Sequence, residues 1–197
     1  MLDGEAAVGR GKPHLAGWMR KAETVWNANK KSDMHLTELF NYINQLSAQF
    51  PLKHLRVVYS KAGSRPAATV LRDGRVVVEN TLYWAAPSSE SEALYLAAIL
   101  NSETARARTE RLQARGQFGA RHFDKVIWSL PIPRFDGKRK LHLDLAAAAR
   151  EAEEAAARVE LPETVKFQSA RKLVREALAE AGISSRIDAL VAKLLDG

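Results

Sequence analysis

The apolar period of this chain changes near Lys53 and again near Pro87, and this alternation constrains the fold more than any other feature. Residues 53–86 carry short β-rich runs, "HLRVVYS", "AATVLR", "RVVVEN" and "TLYWAA". Runs of this length with β-branched and aromatic residues read as strands. Asp73-Gly74 sits between the second and third runs, and that dipeptide favours a tight type I′ hairpin. Helical periods lie on both sides, so the reading is α+β. A small central mixed or antiparallel sheet of three or four strands is flanked by helices and followed by a C-terminal helical region.

Ahead of the sheet, "GWMRKAETVWNANKKSD" places Trp18, Ala22, Val25 and Trp26 at i, i+4, i+7 and i+8. That spacing predicts a helix with both tryptophans as core anchors. Asp33 is read as N-cap of a second helix, "MHLTELFNYINQLSAQF", burying Leu36, Leu39, Phe40, Ile43 and Leu46 and stopped by Pro51. Residues 1–14 contain Gly4, Gly9, Gly11 and Pro13 without an apolar period, and are read as disordered or truncated.

After the sheet, Ser89 and Glu92 form a capping box before "ALYLAAIL", a run apolar all round that calls for burial. Asn101-Ser102 interrupts it. "ETARARTERLQAR" then continues as helix, with Arg108, Arg111 and Arg115 on one stripe. Gly116 and Gly119 end that helix and open a loop, and "FDKVIWSL" leads into Pro131-Ile132-Pro133. The last third is helical: an alanine-rich segment from His142, then two amphipathic segments joined at Gly182, with Ser184 or Ser185 as N-cap of the second. The final pair reads as a plain helical hairpin rather than a helix-turn-helix.

The net charge of +7 is concentrated. Residues 53–75 hold six cations against one acid, and residues 101–125 hold six against three; residues 126–160 balance at zero. Two basic central segments suit a polyanionic partner, although solvated cations on ordinary exposed faces produce the same count. No stretch is apolar for the roughly 18 residues a membrane span needs. The absence of cysteine excludes disulfides and thiolate chemistry and fits a cytoplasmic location; no membrane partner is expected.

Catalytic signatures are missing. The five histidines are scattered, without the spacing of shared metal ligands. There is no nucleophile elbow, phosphate loop or dinucleotide fingerprint. A binding role fits better. Lys61, Arg65, Arg72, Arg75, Arg108 and Arg111 suit phosphate contacts; Arg115, Gln117, Arg121 and His122 suit base readout; Lys125 adds charge. Phe118 suits stacking or wedging, or with Phe123 packs the loop onto the core.

The series "LSAQFP", "LRVVYSKAGSRPAATVLRDGRVVVENTLYW", "ALYLAAILNS", "QARGQFGARHFDKVIWSLPIPRFD" resembles the C-terminal part of large bacterial adenine-N6 DNA methyltransferases, including fused type IIG restriction-modification enzymes. The resemblance spans roughly residues 15–160. It implies a target-recognition-like domain over 15–135, followed by a helical region over 136–197. It also implies duplex DNA as ligand and a methyltransferase catalytic domain or subunit as partner. The family's glycine-rich S-adenosylmethionine motif and its Asn/Asp-Pro-Pro-Tyr/Phe motif have no counterpart; the chain has no Pro-Pro pair. The resemblance therefore implies a non-catalytic recognition portion without a cofactor of its own, S-adenosylmethionine belonging to the fused or partner catalytic domain. The alternative reading is a basic helical protein–protein adaptor.

Overall fold

Glycine-rich as it is, the N-terminal stretch folds into helix in the computed structural model, which describes residues 2–61, 63, 65–112, 115, 116, 119, 120 and 126–197; 115–116 and 119–120 are described through their backbone. The chain divides into two compact units, Met1–Leu52 and Lys53–Gly197. The boundary expected at residue 135 does not separate them, and residues 15–52 belong with the N-terminal segment.

In the first unit, the Asp3 carboxylate accepts the Ala6 N–H at 2.7 Å and starts α1 (Gly4–Gly9). Pro13 opens α2 (Pro13–Asn29), where its missing N–H costs no helical bond. The Gly4 N–H donates to Glu23 Oε1 at 3.1 Å, and a Cβ at Gly4 would fall 2.8 Å from Arg20 Cγ. The glycine thus allows a close approach of α1 to α2 rather than disorder. Ala7, Ala16 and Met19 are buried. The tryptophan stripe of α2 is not the core face: Trp18 is 56% exposed and Val25 65%. Trp26 is half-buried, its indole donating to the Met34 carbonyl at 2.9 Å. A short partner helix made of small residues selects the Ala16–Met19 side of α2.

The expected long helix over 34–50 is also corrected. α3 (Leu36–Phe40) is one short helix begun at His35, whose N–H donates to the Glu38 carboxylate at 2.8 Å. Isolated 3-10 turns follow at Tyr42–Asn44 and Ser47–Gln49. Asn41 Oδ1 accepts the Ser47 N–H at 2.8 Å, an alternative to the helical ladder. Ile43 and Asn44 have φ of +47° and +62°; asparagine tolerates this region and β-branched isoleucine is strained in it. Leu39, Phe40 and Ile43 are consequently exposed.

The second unit is built on a three-stranded antiparallel sheet. β1 (Arg56–Ser60) lies between β2 (Ala68–Leu71) and β3 (Leu82–Ala85), with Val58 opposite Thr69 and Trp84. Because β2 and β3 flank β1, residues 72–81 must cross from one edge of the sheet to the other, and the tight hairpin expected at Asp73-Gly74 does not form. The Asp73 carboxylate instead accepts the Arg75 N–H at 2.8 Å, a side-chain turn. The buried Arg56 guanidinium donates to the carbonyls of Asp73 and Val76 at 2.8 and 2.6 Å and fixes this crossing. Residues 76–79 are not a strand.

α4 (Glu90–Asn101) is the centre of the core. Ser89 Oγ accepts the Glu92 N–H at 3.1 Å, one half of the expected capping box, while the Glu92 carboxylate accepts the Ser88 N–H at 2.7 Å. Leu94, Tyr95, Ile99 and Leu100 are essentially inaccessible, and each apolar side chain so buried stabilises by roughly 1.5–3 kcal/mol. Ser102 caps α5 (Glu103–Glu110) through the Ala105 N–H at 3.0 Å. β4 (Arg115–Gly116) pairs antiparallel with β5 (Gly119–Ala120). A 3-10 turn, Val126–Ser129, inserts Ile127 into the core. α6 (Lys140–Ala157) packs on α4, and α8 (Ile183–Asp196) packs on α6; α7 (Phe167–Glu180) lies against α6 and α8 with no fully buried residue. Gly182, at φ +69°, joins α7 to α8 and precedes the first helical residue, so Ser184 and Ser185 lie inside the helix rather than capping it. Val57, Tyr59 and Val70 share one core with α4, α6 and α8. The chain is α+β, as its periods require.

Candidate nucleic-acid interface

The basic residues singled out in the sequence divide into three groups. The first is engaged within the chain. Lys61 donates to the Asn80 carbonyl and sits 4.7 Å above the Tyr83 ring. Arg65 pairs with Glu103 of α5. Arg72, at the end of β2, donates to Glu90 of α4 at 2.8 Å and to Glu153 of α6 at 2.7 Å. These hydrogen bonds, Glu90 first and then Glu153, raise the affinity of its guanidinium for the proton. Arg108 donates to Asp196 at 2.6 Å and to the Leu195 carbonyl at 3.4 Å. It thereby places a cation on the C-terminal turn of α8, where the helix dipole favours positive charge.

Glu103 ties two of these regions together. It accepts from Arg106 at 2.7 Å and also pairs with Arg65; Arg106 in turn reaches Glu110 at 2.8 Å. The hydrogen bond from Arg106, with Arg65 assisting, holds the Glu103 carboxyl below the usual carboxylate range. The structure thus brings Arg65 to α5, and leaves Arg72 with α4 and α6.

The second group is exposed. Among the described residues Arg75 pairs only with Asp73, two residues away, and its side chain is 90% exposed. Arg111 follows the end of α5 and is exposed. The predicted stripe of Arg108, Arg111 and Arg115 on one helix does not exist, because α5 ends at Glu110 and Arg115 lies in β4. Where a glycine-opened loop was expected, Arg115↔Ala120 and Gly116↔Gly119 form a short antiparallel ribbon.

The third group falls elsewhere. Gln117, Phe118, Arg121, His122 and Lys125 lie outside the described residues, as does Phe123, and only the backbone of Arg115 is described. The packing segment that follows them is in place. Trp128 Nε1 donates to the Tyr59 hydroxyl at 2.7 Å, and the Tyr95 hydroxyl donates to the Pro133 carbonyl at 2.9 Å.

One basic element went unnoticed in the sequence. Residues 134–140, "RFDGKRK", carry Arg134, Lys138, Arg139 and Lys140 against Asp136 alone. All four cations are exposed. The acids of residues 136–160 cancel them when 126–160 is counted as one segment, and a seven-residue window finds them. Among the described residues no group of three or more histidines or carboxylates is placed to hold a metal ion, and no helix is long and apolar enough to cross a membrane. No protein-family model, curated protein or solved structure matches this chain.

Proposed function

We propose that this chain is a non-catalytic DNA-recognition domain that holds duplex DNA for an adenine-N6 methyltransferase domain or subunit carrying S-adenosylmethionine. The observation that supports it most is the antiparallel ribbon of β4 and β5 within the basic segment 101–125. A two-stranded ribbon fits the major groove, where Arg and Gln can bond to base edges. Arg115, Gln117, Phe118, Arg121, His122 and Lys125 cluster in sequence on and around it. Arg75 and Arg111, both exposed, suit phosphate contacts. Lys61, Arg65, Arg72 and Arg108 have partners inside the chain and act first to hold its elements together.

A titration of duplex binding against salt tests this reading. Binding should weaken steeply as salt rises from about 50 to 200 mM, and Arg121→Ala should weaken it further. Absence of duplex binding at low salt, with no effect of Arg121→Ala, would overturn it. The adaptor reading has its own support in the exposed Trp18–Phe40 stack, 6.3 Å between ring centroids, and in exposed Phe167 on α7. It predicts a protein partner and no salt-dependent duplex binding.

A further inference from the structure

The turn before α6 combines unpaired, exposed charge with a backbone tied to the core. Its backbone is fixed from beneath. Tyr95 holds the Pro133 carbonyl at 2.9 Å, the Asp136 N–H donates to His142 Nδ1 at 2.9 Å, and the Arg139 N–H donates to the Asp136 carbonyl at 3.1 Å. The Phe135 ring lies 5.5 Å from Tyr95 and 6.0 Å from His142, and both of these are buried. The turn is therefore tied to the core on both sides of its basic tip.

Its charge, by contrast, is left open. Among the described residues, Arg134, Lys138 and Arg139 form no ion pair, whereas Arg65, Arg72, Arg75, Arg106 and Arg108 all do. The nearby carboxylates are already committed. Asp136 Oδ1 accepts the Lys138 N–H at 2.8 Å, and Asp144 pairs with Lys140 at 2.9 Å. The turn leads into an 18-residue helix whose N-cap, Arg139, contributes no side-chain cap, so the positive end of the helix dipole adds to the four cations. Three unpaired cations on a pre-ordered backbone, with Lys140 shared with Asp144, bind a polyanion without a large ordering cost.

We infer that the Arg134–Lys140 turn is a second phosphate-binding element, engaging the backbone of duplex DNA independently of the β4–β5 ribbon. The inference rests on the proposed DNA role. It adds a sequence-independent anchor, so the turn contributes affinity and salt dependence but no base discrimination.

The test is a triple substitution, Arg134→Gln with Lys138→Gln and Arg139→Gln, in the full chain, with a short mixed-sequence duplex as probe. Among the described residues these side chains have no carboxylate partner, so the melting temperature should hold. Duplex affinity should fall roughly tenfold or more, and the slope of log affinity against log salt should become shallower by about 0.9 for each phosphate that is no longer neutralised. Replacing Arg134 and Arg139 with lysine should restore most of the binding, because point charge is what the phosphates require. A control, Lys172→Gln on α7, should change neither quantity. Unchanged affinity and slope in the triple variant, with Arg121→Ala still weakening binding, would overturn this inference and leave the DNA reading standing. An equal loss from Lys172→Gln would also overturn it, since the effect would then be one of net charge alone. No duplex binding by the unsubstituted chain at low salt would overturn both.

Discussion

Asn101 holds Ala68 at two points. Its amide donates to the Ala68 carbonyl at 2.9 Å and its Oδ1 accepts the Ala68 N–H at 2.9 Å. The last residue of α4 thus acts as a one-residue strand along the open edge of β2, satisfying backbone groups that a sheet edge would otherwise leave unpaired. Asn101→Ala removes both bonds and should cost about 1–2 kcal/mol. Asn101→Asp keeps the acceptor and loses the donor, so it should fall between. Urea unfolding of the three proteins checks the order; a neutral Asn101→Ala would show that water replaces the side chain without loss.

Arg72 joins one strand to two helices, and this is why its substitution should be felt in stability rather than in DNA affinity. The Arg72 side chain is 39% exposed, so solvent screens both pairs. Arg72→Ala is expected to cost at most about 1 kcal/mol, and added salt should shrink the difference from the unsubstituted chain. In duplex binding, the salt slope of Arg72→Ala should match that of the parent. A slope shallower by about one unit would instead place Arg72 on a phosphate.

Tyr95 should report on the seat of the basic turn. It is fully buried, and burial pushes its phenol up to about 12. The proton is therefore held more tightly in the folded chain than at the ordinary value of about 10. Its contribution is complete below pH 10 and is lost as pH rises from there toward 12. Tyr95→Phe removes the bond to the Pro133 carbonyl and should lower stability by about 1 kcal/mol, or roughly 2–4 °C in melting temperature. It should also flatten the alkaline loss. If both proteins lose stability alike above pH 10, the loss comes from other groups.

Much of the second unit was legible in the sequence because local and tertiary demands agree there. Ser89, Asn101-Ser102 and Gly182 punctuate helices where the pattern places them, and the all-apolar "ALYLAAIL" is buried as its composition requires. The failures have physical causes. Asp73-Gly74 favours a hairpin locally, but β1 pairs with β2 on one side and β3 on the other, which forces a crossing instead. Trp18 and Val25 have the right spacing for a core face, yet close approach at Gly4 turns Ala16 and Met19 inward. Asn41 and Asn44 end a helix whose apolar spacing continues past them, since their side chains and backbone preferences compete with the ladder. For the candidate site, residue type located two basic segments and passed over the one at Arg134–Lys140, and no sequence pattern shows which arginines already have carboxylates. Arg65, Arg72 and Arg108 find theirs across 38, 18 and 88 positions of chain.

His142 should give the turn an acid-sensitive footing. It is 1% exposed, with Nδ1 accepting the Asp136 N–H, so the proton of the neutral ring sits on Nε2. Nε2 is buried without a partner among the described residues. The groups facing the ring are Tyr95 and Phe135, with Arg139 and Asp136 near enough to act through charge. Burial, assisted by Arg139 and opposed by Asp136, holds the imidazole below its ordinary value of 6.5. Protonation would also remove the acceptor at Nδ1. The sign follows directly: the unfolded chain takes up the proton first, so stability is complete above about pH 6.5 and falls as pH drops through the lowered folded value. His142→Asn leaves an acceptor near the position of Nδ1 and removes the titration. It should cost about 2 kcal/mol at neutral pH for the lost ring packing, and should flatten the decline below pH 6.5. Urea unfolding of both proteins from neutral to acidic pH measures this. Parallel acid limbs would show that His142 does not carry the pH dependence.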